Sequence, residues 1–266
     1  MDNRPIGILD SGLGGLTSVW ELHRQLPQER VIYFGDTART PYGSKSPETI
    51  VKFADQLVSK LISRDTKMII IACNTITAWG LDKLREMHPE IPIIGVIGPM
   101  VRKVVGDGCS SVGVIATKGT IDSDMYGKSL RELKPDIKVY SRACPAIVPL
   151  IEEGLTDTDI MELTIKHYMD DFACTGEFDN LILGCTHYPL ISKQIKKLYP
   201  NLKLYSSSAE VVQQAKEIME AKDMLASGSD YTDRYYASDL SDNFVKMTEK
   251  LFEGTDFKVR LLKLEE

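Results

Sequence analysis

The run Met68-Ile69-Ile70-Ile71-Ala72-Cys73-Asn74-Thr75 starts as unbroken apolar sequence and ends in a thiol, an amide and a hydroxyl. Apolar residues without polar alternation predict a strand covered on both faces, as in a parallel sheet. A second run, Asn180-Leu181-Ile182-Leu183-Gly184-Cys185-Thr186-His187, repeats the plan. In each, the cysteine closes a strand and opens a helical stretch, and a proline, Pro89 or Pro200, follows at similar spacing before the next aliphatic segment. Gly7-Ile8-Leu9-Asp10-Ser11 and Gly113-Val114-Ile115-Ala116-Thr117 form a further like pair. The expectation is two similar halves, each with a cysteine at a strand C-terminus.

Extended outward, the same reading places strands at 6–9, 31–34, 68–72, 93–96, 111–116, 138–140, 180–183 and 202–205. Helical patterns lie between them, at 49–63, 156–174 and 192–198. The first is preceded by Ser46-Pro47, a hydroxyl cap followed by a proline at the first helical position. Alternating strands and helices predict an α/β fold of two pseudo-symmetric parallel-sheet domains, with the active site at their interface. The chain crosses between them near 95–99. The first domain is expected to comprise 1–96 plus 208–266, and the second 97–207. The tail is read as helical, ending in a strand at 258–262 that returns to the first half.

The chain has 266 residues, 43% hydrophobic and 26% charged, with a net charge of −6. That is ordinary globular composition. Lys and Arg are scattered, so no basic stripe offers itself to nucleic acid. The opening apolar run is too short for a leader or a membrane span, which points to a cytoplasmic protein. The five cysteines include no CxxC pair and are expected as free thiols.

Ligands of open parallel sheets bind beyond the carboxyl ends of the strands. Four such ends carry reactive or small polar groups: Asp10-Ser11, Cys73-Asn74-Thr75, Ala116-Thr117 and Cys185-Thr186-His187. A thiol at a helix N-terminus has its thiolate stabilised, so its pKa is expected to fall from about 8.5 toward neutrality. Inverting a carbon centre removes a proton from one face and returns one to the other. Two thiols on opposite faces meet that need, with Asp10 and His187 as orienting partners. Backbone N–H groups, Ser11, Asn74, Thr75 and Thr186 can hold carboxylates and the developing enolate charge. Taken singly, a cysteine after an apolar strand is more often core filler. The shared context of Cys73 and Cys185 shifts that balance, whereas Cys109, Cys144 and Cys174 lack it. Asp10 can also be read as a helix cap, and His187 as a core histidine or half of a metal pair. Further ligands at metal spacing are missing from the sequence, so no metal is expected.

Gly12-Leu13-Gly14-Gly15-Leu16-Thr17, with Asp36 after the next strand, imitates a dinucleotide fingerprint. Thr17 occupies the third glycine position. The glycines are better read as permitting a tight turn and a close approach.

Longer stretches carry a resemblance: 7–17, Tyr33-Phe34-Gly35-Asp36-Thr37-Ala38-Arg39-Thr40-Pro41-Tyr42-Gly43, Ala72-Cys73-Asn74-Thr75 and 181–190. In these the chain resembles the bacterial glutamate racemases of the aspartate/glutamate racemase family. The resemblance implies a two-domain homodimeric isomerase that interconverts L- and D-glutamate with no cofactor and supplies D-glutamate for peptidoglycan. It implies Cys73 as the group acting on the D-enantiomer and Cys185 on the L-enantiomer, assisted by Asp10 and His187. Substrate binding would fall to Asp10, Ser11, Tyr42, Gly43, Asn74, Thr75, Thr186 and His187. Asp36, Thr117 and Glu152 are supporting candidates, and Glu153 competes with Glu152 for the matching position. One departure stands at Tyr205-Ser206-Ser207-Ser208, where relatives commonly carry Asp-Ser. The chain opens almost directly on its first strand, so activation through an N-terminal extension is not expected. Rival readings are an aspartate racemase, a nucleotide-binding module using Gly12–Gly15, and a thiol redox protein in which Cys73 and Cys185 form a reversible disulfide.

Overall fold

The computed structural model describes residues 1–175, 177–228, 231–252 and 257–264; of the predicted tail, 229, 230, 253–256, 265 and 266 lie outside them. Ten strands are described: β1 (Ile6–Asp10), β2 (Val31–Gly35), β3 (Met68–Ile71), β4 (Ile93–Gly95), β5 (Ser111–Ala116), β6 (Lys138–Ala143), β7 (Asn180–Gly184), β8 (Lys203–Ser206), β9 (Arg234–Ala237) and β10 (Val259–Leu261). They form a six-stranded sheet, β10-β9-β2-β1-β3-β4, and a four-stranded one, β6-β5-β7-β8. Every pairing is parallel. The order β2-β1-β3-β4 repeats in the second sheet as β6-β5-β7-β8, so β3 and β7, which precede the two cysteines, are equivalent strands.

The helices are α1 (Leu16–Gln25), α2 (Pro47–Ile62), α3 (Asn74–Met87), α4 (Ile97–Gly106), α5 (Lys118–Asp122), α6 (Met125–Leu133), α7 (Ile147–Glu152), α8 (Asp159–Thr175), α9 (Ser192–Leu198), α10 (Ser207–Ala221) and α11 (Asp242–Leu251). Ser46 caps α2 by accepting the Thr49 N–H, and Pro47 opens it. Every residue of β1, β2 and β3 is buried, which accounts for the missing polar alternation. Ile6 and Ile8 face a core that runs through Met100 and Val104 of α4 to Val112 and Val114 of β5, joining the two sheets. Leu9, Ile32 and Ile71 face a second core beneath α2.

The tail departs from its expectation at one strand: the terminal strand is present as β10, and β9 stands where helix is expected. It places β9 against β2 and β10 against β9, extending the first sheet. Arg234-Tyr235-Tyr236-Ala237 lacks the aliphatic run that marks the first four strands. Just before β3, Lys67, its side chain fully buried, stands 2.6 Å from Glu29. Its ammonium also donates to the carbonyls of Asp2 and Met224, and Glu29 accepts the Ala226 N–H. One buried ion pair thus ties the N-terminal segment, β3 and the segment after α10. Among the described residues, no helix is long and apolar enough to cross a membrane.

Candidate active site

In each sheet the chain reverses its direction of winding between neighbouring strands, β1 and β3 in the first and β5 and β7 in the second. Such switch points open a crevice at the carboxyl ends. Asp10-Ser11 and Cys73 stand at the first, Thr117 and Cys185 at the second. The two crevices face each other and close one cavity lined by Ser11, Tyr42, Cys73, Asn74, Cys185 and His187, together with Gly43, Thr75, Thr117 and Thr186. Its volume is about 20 Å³, room for little more than a water molecule. That is less room than an amino acid takes. A larger groove, about 530 Å³, lies at Glu153, Pro189, Lys193 and Met247. It contains neither thiol, and the chemistry belongs to the smaller space.

Cys73 is the N-cap residue of α3, and its sulfur lies 3.4 Å from the Ser11 hydroxyl. Burial pushes this thiol up to about 12, and the carboxylate of Asp10 adds to the rise, while hydrogen bonding with Ser11 and the Ile76 N–H opposes it. This corrects the expected fall toward neutrality at Cys73. The helix terminus does act in the expected sense, but desolvation in the closed cavity outweighs it.

Cys185 has a different neighbour. Its sulfur is 3.8 Å from His187 Nδ1, and His187 Nε2 is 3.0 Å from Glu152 Oε1. Burial disfavours the imidazolium, but the contacts with Cys185 and Glu152 outweigh burial and hold the His187 pKa well above its ordinary value. Glu152, which also accepts from Thr40 at 3.4 Å, is therefore the glutamate at the site. Glu153 points instead toward Asn243.

Asp10 is fully buried, and burial raises its pKa against the pull of His187 and its hydrogen bonds. One oxygen accepts the N–H groups of Gly12 and Gly15 at 3.1 and 3.0 Å, and the other accepts from Thr186 at 3.3 Å. Asp10 thus holds the turn before α1 through the N–H of its N-cap residue, Gly15. It bridges the two halves rather than bonding Cys73. Gly12 also gives its carbonyl to Tyr33 at 2.5 Å. A side chain at Gly14 would collide with Thr186 and His187, and one at Gly15 with Asp10. The glycines permit close approach of the halves, and the N–H groups that a pyrophosphate would use at Gly12 and Gly15 are given to Asp10.

The first half also supplies Asn74, whose Oδ1 accepts from Tyr126 at 2.7 Å while its buried Nδ2 has no partner. Thr75 reaches Thr117 at 2.9 Å and Thr120 at 3.2 Å across the interface. Gly43 packs against Thr117 so closely that a side chain there would overlap it. Asp36 is buried outside the cavity and accepts from Tyr42, Arg39 and Ser238. Tyr126, Thr120, Thr40 and Ser238 escaped sequence reasoning. Thr117-x-x-Thr120 carried a capping signal, and Thr40 lay within a quoted stretch; the others gave none. His88 pairs with Asp55, His23 with Asp233, and His167 meets Tyr168 edge-on, all away from the thiols. All five cysteines are free thiols. Among the described residues no group of three or more His, Cys, Asp or Glu could hold a metal ion.

Two equivalent parallel sheets, each delivering a thiol to one shared cavity, define an isomerase of the racemase class. The chain belongs to the Asp/Glu/hydantoin racemase family, whose model matches residues 18–215. It is 41% identical over 254 residues to the glutamate racemase of Geobacter metallireducens, covering 94% of this chain and 93% of that one. It is 46% identical over 216 residues to the glutamate racemase of a Sulfurihydrogenibium species, covering 80% and 82%. The crystal structure of Francisella tularensis glutamate racemase in complex with D-glutamate superposes with a TM-score of 0.92 at 40% identity, covering 100% of this chain and 99% of that one.

Proposed function

We propose that this chain is a glutamate racemase that interconverts L- and D-glutamate by a two-thiol mechanism. The observation that carries the proposal is that Cys73 and Cys185, from equivalent strand ends, line one cavity. With L-glutamate, the Cys185–His187 pair takes the α-proton, and Cys73, held as a thiol by burial, delivers a proton to the opposite face. The D-enantiomer reverses these roles. The unpartnered Asn74 amide, the hydroxyls of Ser11, Thr75, Thr117 and Thr186, and the Tyr42–Gly43 segment receive the carboxylates. Donors preset where charge develops stabilise the transition state without reorganising. Glu152 orients His187, Asp10 braces the two halves, and Asp36 supports Tyr42.

The two thiols supply both acid and base, so the proposed reaction calls for no added cofactor. The halves are assigned as 1–96 plus 208–266 and 97–207, parting to admit substrate. The product D-glutamate serves peptidoglycan synthesis, and the enzyme acts in the cytoplasm as a homodimer. The high identity to glutamate racemases over nearly the whole chain favours glutamate over aspartate.

The test is incubation with L-glutamate in deuterium oxide, no cofactor added, following optical rotation and α-deuterium. Loss of rotation with deuterium in the inverted product, abolished in Cys73→Ala and Cys185→Ala, is the expected result. Absence of both rotation change and exchange in the unmodified enzyme would exclude glutamate as substrate, and aspartate would be tried next.

A further inference from the structure

The segment that carries Tyr42 and Gly43 into the cavity leaves β2 at Gly35 and lies between the two halves. It is secured largely by residues about 200 positions later in the chain. Ser238, immediately beyond β9, donates its hydroxyl to Asp36 Oδ1 at 2.7 Å and accepts the Ala38 N–H at 2.9 Å. Its own N–H bonds the Gly35 carbonyl at 3.0 Å. The next residue adds a reciprocal pair: Thr37 Oγ1 donates to the Asp239 carbonyl at 2.6 Å and accepts the Asp239 N–H at 2.8 Å.

The other oxygen of Asp36 accepts from the Tyr42 phenol and from Arg39 Nε. Asp36 and Ser238 are both buried, so solvent cannot readily replace the Ser238 proton. A hydroxyl that donates to one group and accepts from another has its orientation fixed. Tyr42 and Gly43 both line the thiol cavity, and Gly43 has no slack against Thr117. A shift of the segment therefore changes both the cavity wall and the seam between halves.

We propose that Ser238 is a positioning residue for substrate binding, setting through Asp36 and Ala38 the placement of the Tyr42–Gly43 wall. This rests on the racemase reading for its kinetic consequence, but not for the latch itself. It gives the tail a role at the site: β9 extends the sheet and also ends in the group that orders the cavity wall. Ser238 touches neither thiol through any of these bonds, so its removal acts on how substrate is held more than on proton transfer.

The experiment compares Ser238→Ala and Ser238→Thr with the unmodified enzyme. For Ser238→Ala the expected KM for L-glutamate rises about tenfold while kcat falls less than about threefold, the signature of lost binding interactions. Ser238→Thr, which keeps the hydroxyl, returns KM toward the original value. Amide hydrogen exchange supplies a readout independent of substrate: in Ser238→Ala, exchange at 37–45 accelerates while 69–71 in β3 stays protected. Unchanged KM, or KM and kcat effects that track a general loss of folded protein, would overturn the proposal. Unchanged exchange at 37–45 would overturn the latch whatever the substrate. Failure of the unmodified enzyme to racemise glutamate would instead overturn the racemase reading, and the exchange result would still decide the latch.

Discussion

Cys185 and His187 are two positions apart in the chain, and the strand-to-helix turn brings Sγ within 3.8 Å of Nδ1. The other ring nitrogen is held by Glu152 at 3.0 Å. Cys73 has no imidazole beside it and meets the Ser11 hydroxyl instead. Equivalent strand ends therefore deliver buried thiols into unlike surroundings, one beside an imidazole of raised pKa and one beside a hydroxyl.

Glu152→Gln should expose this difference. Loss of the carboxylate removes one of the contacts that keep His187 protonated, so the His187 pKa falls. We expect racemisation to drop roughly 10- to 100-fold, within the usual range for an acid–base partner. The loss of the imidazolium proton, on the alkaline side of the pH profile, should move to lower pH. A steady-state pH series on both proteins checks this, and an unmoved alkaline limb would contradict the Glu152–His187 coupling.

The pH dependence of L-glutamate turnover should be a bell, because one thiol must be ionised while its partner stays protonated. Burial pushes Cys73 up to about 12, and ionising Cys73 removes the acid needed in this direction. A raised pKa thus extends the active range upward, and the alkaline limb should lie well above the value of about 8.5 for a free thiol. These are properties of the interacting pair, so the limbs report the pair rather than either residue alone. A decline beginning near pH 8.5 in initial-rate measurements would refute the assignment of Cys73 as a shielded acid.

Gly15→Ala places a methyl group against Asp10, whose carboxylate bridges both halves. Overpacking of this kind costs about 1–3 kcal/mol. Because the displaced group spans the interface, activity should fall further than stability. Urea unfolding and racemisation assays on the same preparation check this. Full activity would mean that Asp10 can move without consequence.

Lys67→Met leaves Glu29 buried without its cation. Breaking a buried pair from one side costs about 3–5 kcal/mol, and replacing both partners by apolar groups often restores stability. Urea unfolding should therefore show a large loss for Lys67→Met and substantial recovery for Lys67→Met with Glu29→Leu. The pair lies away from the thiols, so kcat of the folded fraction should not change. Equal destabilisation of the single and double variants would show that the polar network, not the lone charge, carries the effect.

Strands β1 to β5 and β7 could be read from the sequence because burial on both faces leaves an aliphatic signature, and β5 agrees with its predicted bounds; β6 and β8 are only partly buried and carry that signature more weakly. The two cysteines could be read because each closes such a run and is followed by amide or hydroxyl residues, although the expected helix opening holds only at Cys73, and Cys185 leads into a short 3-10 turn at Tyr188–Ile191. β9 could not be read, since Arg234-Tyr235-Tyr236-Ala237 lacks an aliphatic run and its place depends on β2 accepting a neighbour. The Asp36–Ser238 contact was equally hidden, because it joins residues 202 positions apart and nothing local encodes it. The raised pKa of Cys73 escaped for a related reason: a helix terminus is visible in sequence, while the closure that desolvates it is a property of two halves meeting.

The repeated strand order β2-β1-β3-β4 and β6-β5-β7-β8 bears on the proposed chemistry through thermodynamics. Mirror-image amino acids have equal free energies in solution, so their equilibrium constant is unity, and the Haldane relation makes kcat/KM identical in the two directions. The imidazole beside one sulfur and the hydroxyl beside the other cannot favour one enantiomer at equilibrium. They set only how tightly each mirror image is held while bound, and with it the paired values of kcat and KM. No substitution around either thiol can turn such a catalyst into a one-way valve; a net flow toward either hand must be drawn by whatever consumes the product.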